Sequence, residues 1–254
     1  MNAPVVIIGI GELGSVLARG FLRIGVAVYP LTRSMSIQEA VEHYPQPQLV
    51  LVAVAEEDFS SVLTQIPPVW HDRIALLQNE LLPQDWHGLP QPTVMVVWFE
   101  KKPGQEVSIL LPTMVYGPAT PLITEALTAL QIPAQKLATE TDMIYELIRK
   151  NVYIFTVNIA GLVVDESVGS LWQQQQTLIQ QVAEEIIAIQ AGLTGSISLD
   201  RNRLLAGLEE GIYADLKRKS RGRTAPERLK RALKHADEVG LAVPKLREIQ
   251  ASLA

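Results

Sequence analysis

An N-terminal doubly wound α/β domain followed by an all-helical domain is the architecture that this 254-residue sequence predicts. Three observations carry the prediction. A β-branched run, Val5-Val6-Ile7-Ile8, breaks into Gly9, Gly11 and Gly14 and resumes as Ser15 to Leu22 with apolar residues at helical spacing. Strand-like and helix-like segments alternate from there to about residue 137. From Thr139 onward the pattern is helical throughout, so the domains are drawn as 1–137 and 138–254.

The elements follow in order. Val26 to Leu31 reads as the second strand, Ile37 to Tyr44 as a helix, Leu49 to Val54 as a buried parallel strand, and Phe59 to Ile66 as a helix stopped by Pro67-Pro68. Arg73 to Leu77 is a further strand that runs into Gln78-Asn79-Glu80. Thr93 to Phe99 and Glu106 to Leu111, joined through Lys101-Lys102-Pro103-Gly104, read as a hairpin-like pair at the far edge of the sheet. Thr120 to Leu130 is a helix ended by Pro133. In the second domain, helices are expected over Met143 to Val164, Leu171 to Ala191, Leu199 to Leu216, Pro226 to Val239 and Pro244 to Ser252. The run Gln173 to Gln176 is expected as an exposed helix face.

The glycine turn has the pattern of a dinucleotide-binding fingerprint, Gly-x-Gly-x-x-Gly, in its strand-turn-helix context. In that motif Gly9 permits the tight turn, Gly11 lets the backbone approach a pyrophosphate, and Gly14 lets helix and strand pack closely. The helix start, Gly11-Glu12-Leu13-Gly14, offers free N–H groups and a positive dipole end to phosphates. The second strand is followed by Thr32-Arg33-Ser34, where an NAD enzyme would place an acid for the ribose 2′-hydroxyl. A guanidinium between two hydroxyls suits a 2′-phosphate instead, so NADP(H) is the expected cofactor. The plainer alternative makes Arg33 a surface residue and Ser34 or Ser36 the cap of the next helix.

Composition narrows the function classes. With no cysteine, disulfides, thiolate metal sites and a cysteine nucleophile are excluded. The four histidines have no metal-ligand spacing. No stretch is apolar for the roughly 18 residues of a membrane helix, and no signal-peptide pattern precedes the first strand, so no membrane association is expected and cytoplasm is the expected compartment. Net charge is −5, yet Lys217 to Lys234 is strongly basic with Glu227 as its only acid. The acidic remainder argues against a nucleic-acid partner and leaves a solvated helix end or an anionic small ligand.

Several segments resemble the ketopantoate reductase family, in the group of reductases with a helical domain of the 6-phosphogluconate dehydrogenase type. Gly9, Gly11, Gly14 and Arg33 match its cofactor residues, and Leu77-Gln78-Asn79-Glu80 is similar to its Gln-Asn-Gly segment, whose asparagine contributes to the active site. Lys150 to Asn158 resembles the helix that supplies the family's catalytic lysine and, eight residues on, an asparagine. Glu238 to Pro244 resembles the His-Gly-Ile-x-x-Pro segment near the family's C-terminus. The resemblance covers nearly the whole chain and implies Lys150 and Asn79 as catalytic residues. The chain departs from the family at Ala55-Glu56-Glu57, where a lysine is common, at Ile154, where an asparagine is, and at Thr224, where a substrate-binding glutamate falls.

Physical chemistry gives these residues work. Reducing a ketone takes a hydride on one face, a donor that protonates the oxygen, and groups that hold the substrate's anionic end. Lys150 can be the donor, and Asn158, within roughly 80° of it around the helix, can share its cleft between the domains. Glu146, one turn earlier, offers Lys150 a salt bridge instead. Arg221 and Arg223 are candidates to orient the anionic substrate with paired hydrogen bonds. The residues point first to an NADPH-dependent reductase of a 2-keto acid acting on a small anionic substrate, with a homodimer as a candidate assembly. The alternatives are an imine or 3-hydroxy acid oxidoreductase of the same group, an enzyme acting on opines, and an NADP-binding protein without turnover.

Overall fold

Apolar β-branched runs form the strands because a parallel strand is buried on both faces and needs no polar alternation. The computed structural model describes residues 3–195 and 199–253. It places β1 (Val5–Ile8), β2 (Val28–Leu31), β3 (Leu49–Val52), β4 (Ile74–Leu76), β5 (Thr93–Val96), β8 (Thr113–Tyr116) and β9 (Ala134–Lys136) in one seven-stranded sheet of order β2-β1-β3-β4-β5-β8-β9. All neighbouring strands are parallel except β5 and β8, which run antiparallel. β1, β3, β4 and β5 are buried along their whole lengths.

Helices α1 (Glu12–Arg23) and α4 (Thr120–Ala129) pack against each other on one face of the sheet. Val5, Ile7, Leu17, Phe21, Leu51, Met95 and Ile123 belong to the core between them and the strands. With the usual right-handed crossovers, this strand order sets α2 (Ile37–His43) and α3 (Glu56–Gln65) on the opposite face. A 3-10 turn over Pro68–Arg73 inserts Trp70, which is fully buried and donates from its indole nitrogen to the Tyr44 carbonyl at 3.0 Å.

The chain divides into two compact units, Met1–Leu147 and Ile148–Ala254. The division falls within α5 (Glu140–Val163), a helix of 24 residues. The second unit continues with α6 (Val168–Gln174), α7 (Gln176–Thr194), α8 (Arg201–Ala214), α9 (Ala225–Glu238) and α10 (Pro244–Ser252). Every residue of α5 from 148 to 162 is buried, which makes it the central helix of that unit. Two of its polar residues are met by neighbouring helices: Arg149 pairs with Glu210 of α8 at 2.6 Å, and Asn151 donates to Gln190 of α7 at 3.0 Å. The doubly wound sheet and the helical second part thus agree with the fold class expected from the sequence. No described helix is long and apolar enough to cross a membrane.

Three local expectations need correction. Thr93 to Val96 belongs to the main sheet, and only β6 (Phe99–Glu100) and β7 (Ser108–Ile109) form a separate antiparallel pair across the Lys101 to Gly104 turn. The far edge of the sheet is instead β9, a three-residue strand too short and too polar to announce itself. The helix expected from Leu171 to Ala191 is two helices, because Gln175 leaves the helical region with φ −127° and ψ 35°.

Candidate functional site

The reversal of strand order lies between β1 and β3, the place where open α/β sheets leave a crevice beyond the carboxyl ends of their strands. A groove of about 1050 Å³ opens there, lined by the glycine turn, the segment after β2 and the start of α3. Its residues include Gly9, Gly11, Thr32, Arg33, Ala55 and Asp58.

Each glycine of the turn meets a different constraint. Gly9 has φ +97°, and a Cβ there would stand 2.6 Å from the Ala53 carbonyl oxygen of β3's end. At Gly14 a Cβ would stand 2.0 Å from the Gly9 carbonyl oxygen, so helix and strand close only over a hydrogen. Gly11 is the opposite case. Its backbone is extended at φ −77° and ψ −162°, and a Cβ would meet nothing within 4 Å. That open space lies before the N-terminus of α1, where no side chain caps the helix and its first N–H groups lack intrahelical acceptors. Glu12 turns its carboxylate toward Lys101 at 3.5 Å, so the backbone of Glu12 and Leu13, rather than their side chains, suits an anion.

After β2, Met35 N–H donates to the Thr32 carbonyl and closes a turn that carries Arg33 and Ser34 outward. Ser36 takes the capping duty for α2, accepting from Glu39 N–H at 3.3 Å, while the Thr32 and Ser34 hydroxyls bond each other at 3.1 Å. Arg33 is exposed, and its Nη2 reaches Asp58 Oδ2 at 2.7 Å. Asp58 stands in the first turn of α3 with Glu56 and Glu57, three acids that complement the helix dipole.

Asn79 follows β4 in the same unit, and its Nδ2 donates to Glu56 Oε1 at 2.7 Å. Gln78 before it is buried and structural: its Nε2 donates to the Val52 and Val54 carbonyls and clamps the end of β3 to that of β4. Glu80 holds φ +67°, which explains why a glycine suits this place in the Gln-Asn-Gly pattern.

The second unit gathers the remaining candidates. Lys150 is buried on α5 at 7% exposure, eight residues before Asn158, also buried. The loop between α8 and α9 crosses the end of α5 closely: a Cβ on Gly161 would lie 2.6 Å from the Arg221 nitrogen, and one on Gly222 would lie 2.5 Å from Asn158 Oδ1. Arg221 and Arg223 on that loop have exposed side chains. The buried guanidinium of the basic interval is Arg228, which donates from Nη1 to Asn158 Oδ1 at 2.7 Å. Arg228 was missed by charge counting, yet its spacing shows it: with Ala225, Leu229 and Ala232 it lies on the inward stripe of α9. Asp58 and Glu56 were missed because the acids before Phe59 read as loop. Among the described residues no group of three or more His, Cys, Asp or Glu could hold a metal ion.

No protein-family profile matches the chain, and no curated protein sequence does. Solved structures do match. A probable 2-dehydropantoate 2-reductase from Bacillus subtilis superposes with TM-score 0.70 at 17% identity, covering 98% of each chain. A 2-dehydropantoate 2-reductase from Porphyromonas gingivalis W83 gives 0.68 at 14%, covering 100% of this chain and 99% of that one. A D-mandelate dehydrogenase in complex with NADH gives 0.70 at 14%, covering 98% and 96%. This chain therefore has, from end to end, the fold of the ketopantoate reductases at low sequence identity.

Proposed function

We propose that this chain is a divergent ketopantoate reductase-like oxidoreductase that reduces a 2-keto acid with NADPH. The observation that carries the reading is the vacant side-chain position at Gly11, bounded by two glycines that steric contact makes obligatory, at the open N-terminus of α1. Such a cradle fits a pyrophosphate, since its N–H groups and the helix dipole both favour negative charge and no Cβ blocks the approach. Thr32 and Arg33 on the groove rim, with the Ser34 hydroxyl bonded to that of Thr32, fit a ribose 2′-phosphate. NADPH, when bound, supplies the hydride.

The remaining chemistry belongs to the chain's own groups. The Lys150 ammonium polarises the keto oxygen and gives up the proton that completes the alcohol. Its position on the most buried helix of its unit lowers the local dielectric and so strengthens that electrostatic pull. Asn158, held by Arg228, has a fixed amide with which to orient the substrate, and Arg221 and Arg223 attract its carboxylate. Asn79, anchored by Glu56, contributes a positioned amide at the carboxyl end of β4. A homodimer is part of the proposal, since one neighbour of the same fold is described as a dimeric ketopantoate reductase from Staphylococcus aureus.

The test is titration of NADPH and NADH against intrinsic fluorescence, followed by NADPH oxidation with a panel of 2-keto acids that includes ketopantoate. NADPH is expected to bind more tightly than NADH, and Arg33→Ala is expected to weaken NADPH alone. Lys150→Ala should leave cofactor affinity intact and lower turnover by about 10²-fold or more, the scale of a lost acid. Binding without turnover of any keto acid would turn the reading toward an NADP-binding protein.

A further inference from the structure

The segment after β2, Thr32-Arg33-Ser34, has no acid, but the groove has one on another element. A ribose seated at the end of β2 presents either a 2′-hydroxyl, which donates to a carboxylate, or a 2′-phosphate, which takes a guanidinium. This groove has both receptors, on different elements: Arg33 in the turn after β2 and Asp58 in the first turn of α3. They are paired to each other across the groove at 2.7 Å.

We propose that Asp58 is a specificity-determining residue that sets the balance between NADP(H) and NAD(H). This inference rests on the dinucleotide reading above and deepens it. A 2′-phosphate entering beside Arg33 must displace the Asp58 carboxylate and then lie close to its charge. A 2′-hydroxyl instead finds a hydrogen-bond acceptor already in place. Asp58 thus narrows the advantage that Arg33 gives to NADP(H) and gives NAD(H) a contact of its own.

The pair is well suited to such competition because it is weak. Its side chains are 88% and 40% exposed, so water screens the attraction and a phosphate can break it at a cost of at most about fivefold in affinity. The carboxylate has a second source of attraction besides Arg33. It belongs to the acidic first turn of α3, where Ala55 provides no side-chain cap and the helix N-terminus favours negative charge.

Dissociation constants for NADPH and NADH, measured on the full chain and on Asp58→Asn and Asp58→Ala, test this. Both variants are expected to bind NADPH about fivefold more tightly and NADH about two- to threefold more weakly, raising the preference for NADPH by about tenfold. Arg33→Ala should do the reverse, lowering NADPH affinity and sparing NADH. If both Asp58 variants bind the two cofactors with the wild-type ratio, Asp58 has no such role, although the dinucleotide site stands. If the wild-type chain binds neither cofactor, the reading of the groove falls and the role of Asp58 falls with it.

Discussion

Gly11 and Gly14 stand three positions apart and tolerate a side chain in opposite ways. A methyl at Gly14 would have to share space with the Gly9 carbonyl oxygen, a backbone atom with nowhere to go. Gly14→Ala should therefore destabilise the chain by about 2 kcal/mol or more, the range of forced overpacking. A methyl at Gly11 meets open space on an extended backbone that alanine adopts readily, so Gly11→Ala should leave stability within about 0.5 kcal/mol of wild type. In the proposed cofactor site the same methyl would project into the path of the pyrophosphate, and NADPH affinity should drop by about tenfold. Thermal melting without ligand, paired with a fluorescence titration, separates the two. An NADPH affinity unchanged in Gly11→Ala would remove the turn from the cofactor site. The glycines and Arg33 were legible because one short segment contains the entire motif. Asp58, Glu56 and Arg228 were not, because each acquires its meaning from a partner 25, 23 or 70 positions away.

Element boundaries were legible where a residue enforces them and obscure where packing does. Pro67-Pro68 closes α3 as expected, and Pro226 and Pro244 lie in the first turns of α9 and α10, whereas α4 ends at Ala129, four residues before the expected stop at Pro133. The start of α3 was set three residues late, since Glu56, Glu57 and Asp58 show no apolar period and are placed by the dipole instead. The end of α4 shows a rule broken. Gln131 takes φ +60° just past the helix, where its N–H donates to the Thr128 carbonyl and that of Ile132 donates to Leu127. This is the left-handed C-terminal turn that usually carries glycine, and a side chain there is strained by about 1–2 kcal/mol. Gln131→Gly removes the strain and loses some unfolded-state restriction, for a net gain of up to about 1 kcal/mol. A rise in melting temperature of about 2 °C is expected from calorimetry. A fall would mean that the exposed Gln131 side chain makes a contact worth more than the strain.

At the scale of the molecule, two compact units share a single uninterrupted helix, and neither can melt without losing part of α5. The composition shift after residue 137 was readable in the sequence because periodicity changes there from alternating to helical. What it could not show is that α5 is buried on every side from 148 to 162, so that Arg149, Asn151 and Asn158 need polar partners from α8, α7 and α9. Those buried pairings make the second unit depend on α5, while its first two turns are counted with the first unit. Unfolding is accordingly expected as one cooperative calorimetric transition. A ligand that binds only the folded first unit then stabilises the whole chain. NADPH at a hundredfold excess over its dissociation constant should add about 2.7 kcal/mol, and a chain of this length converts that to about 5 °C in a single shifted peak. Two peaks, with only one of them moved by NADPH, would show instead that α5 breaks at the division and that the units unfold separately.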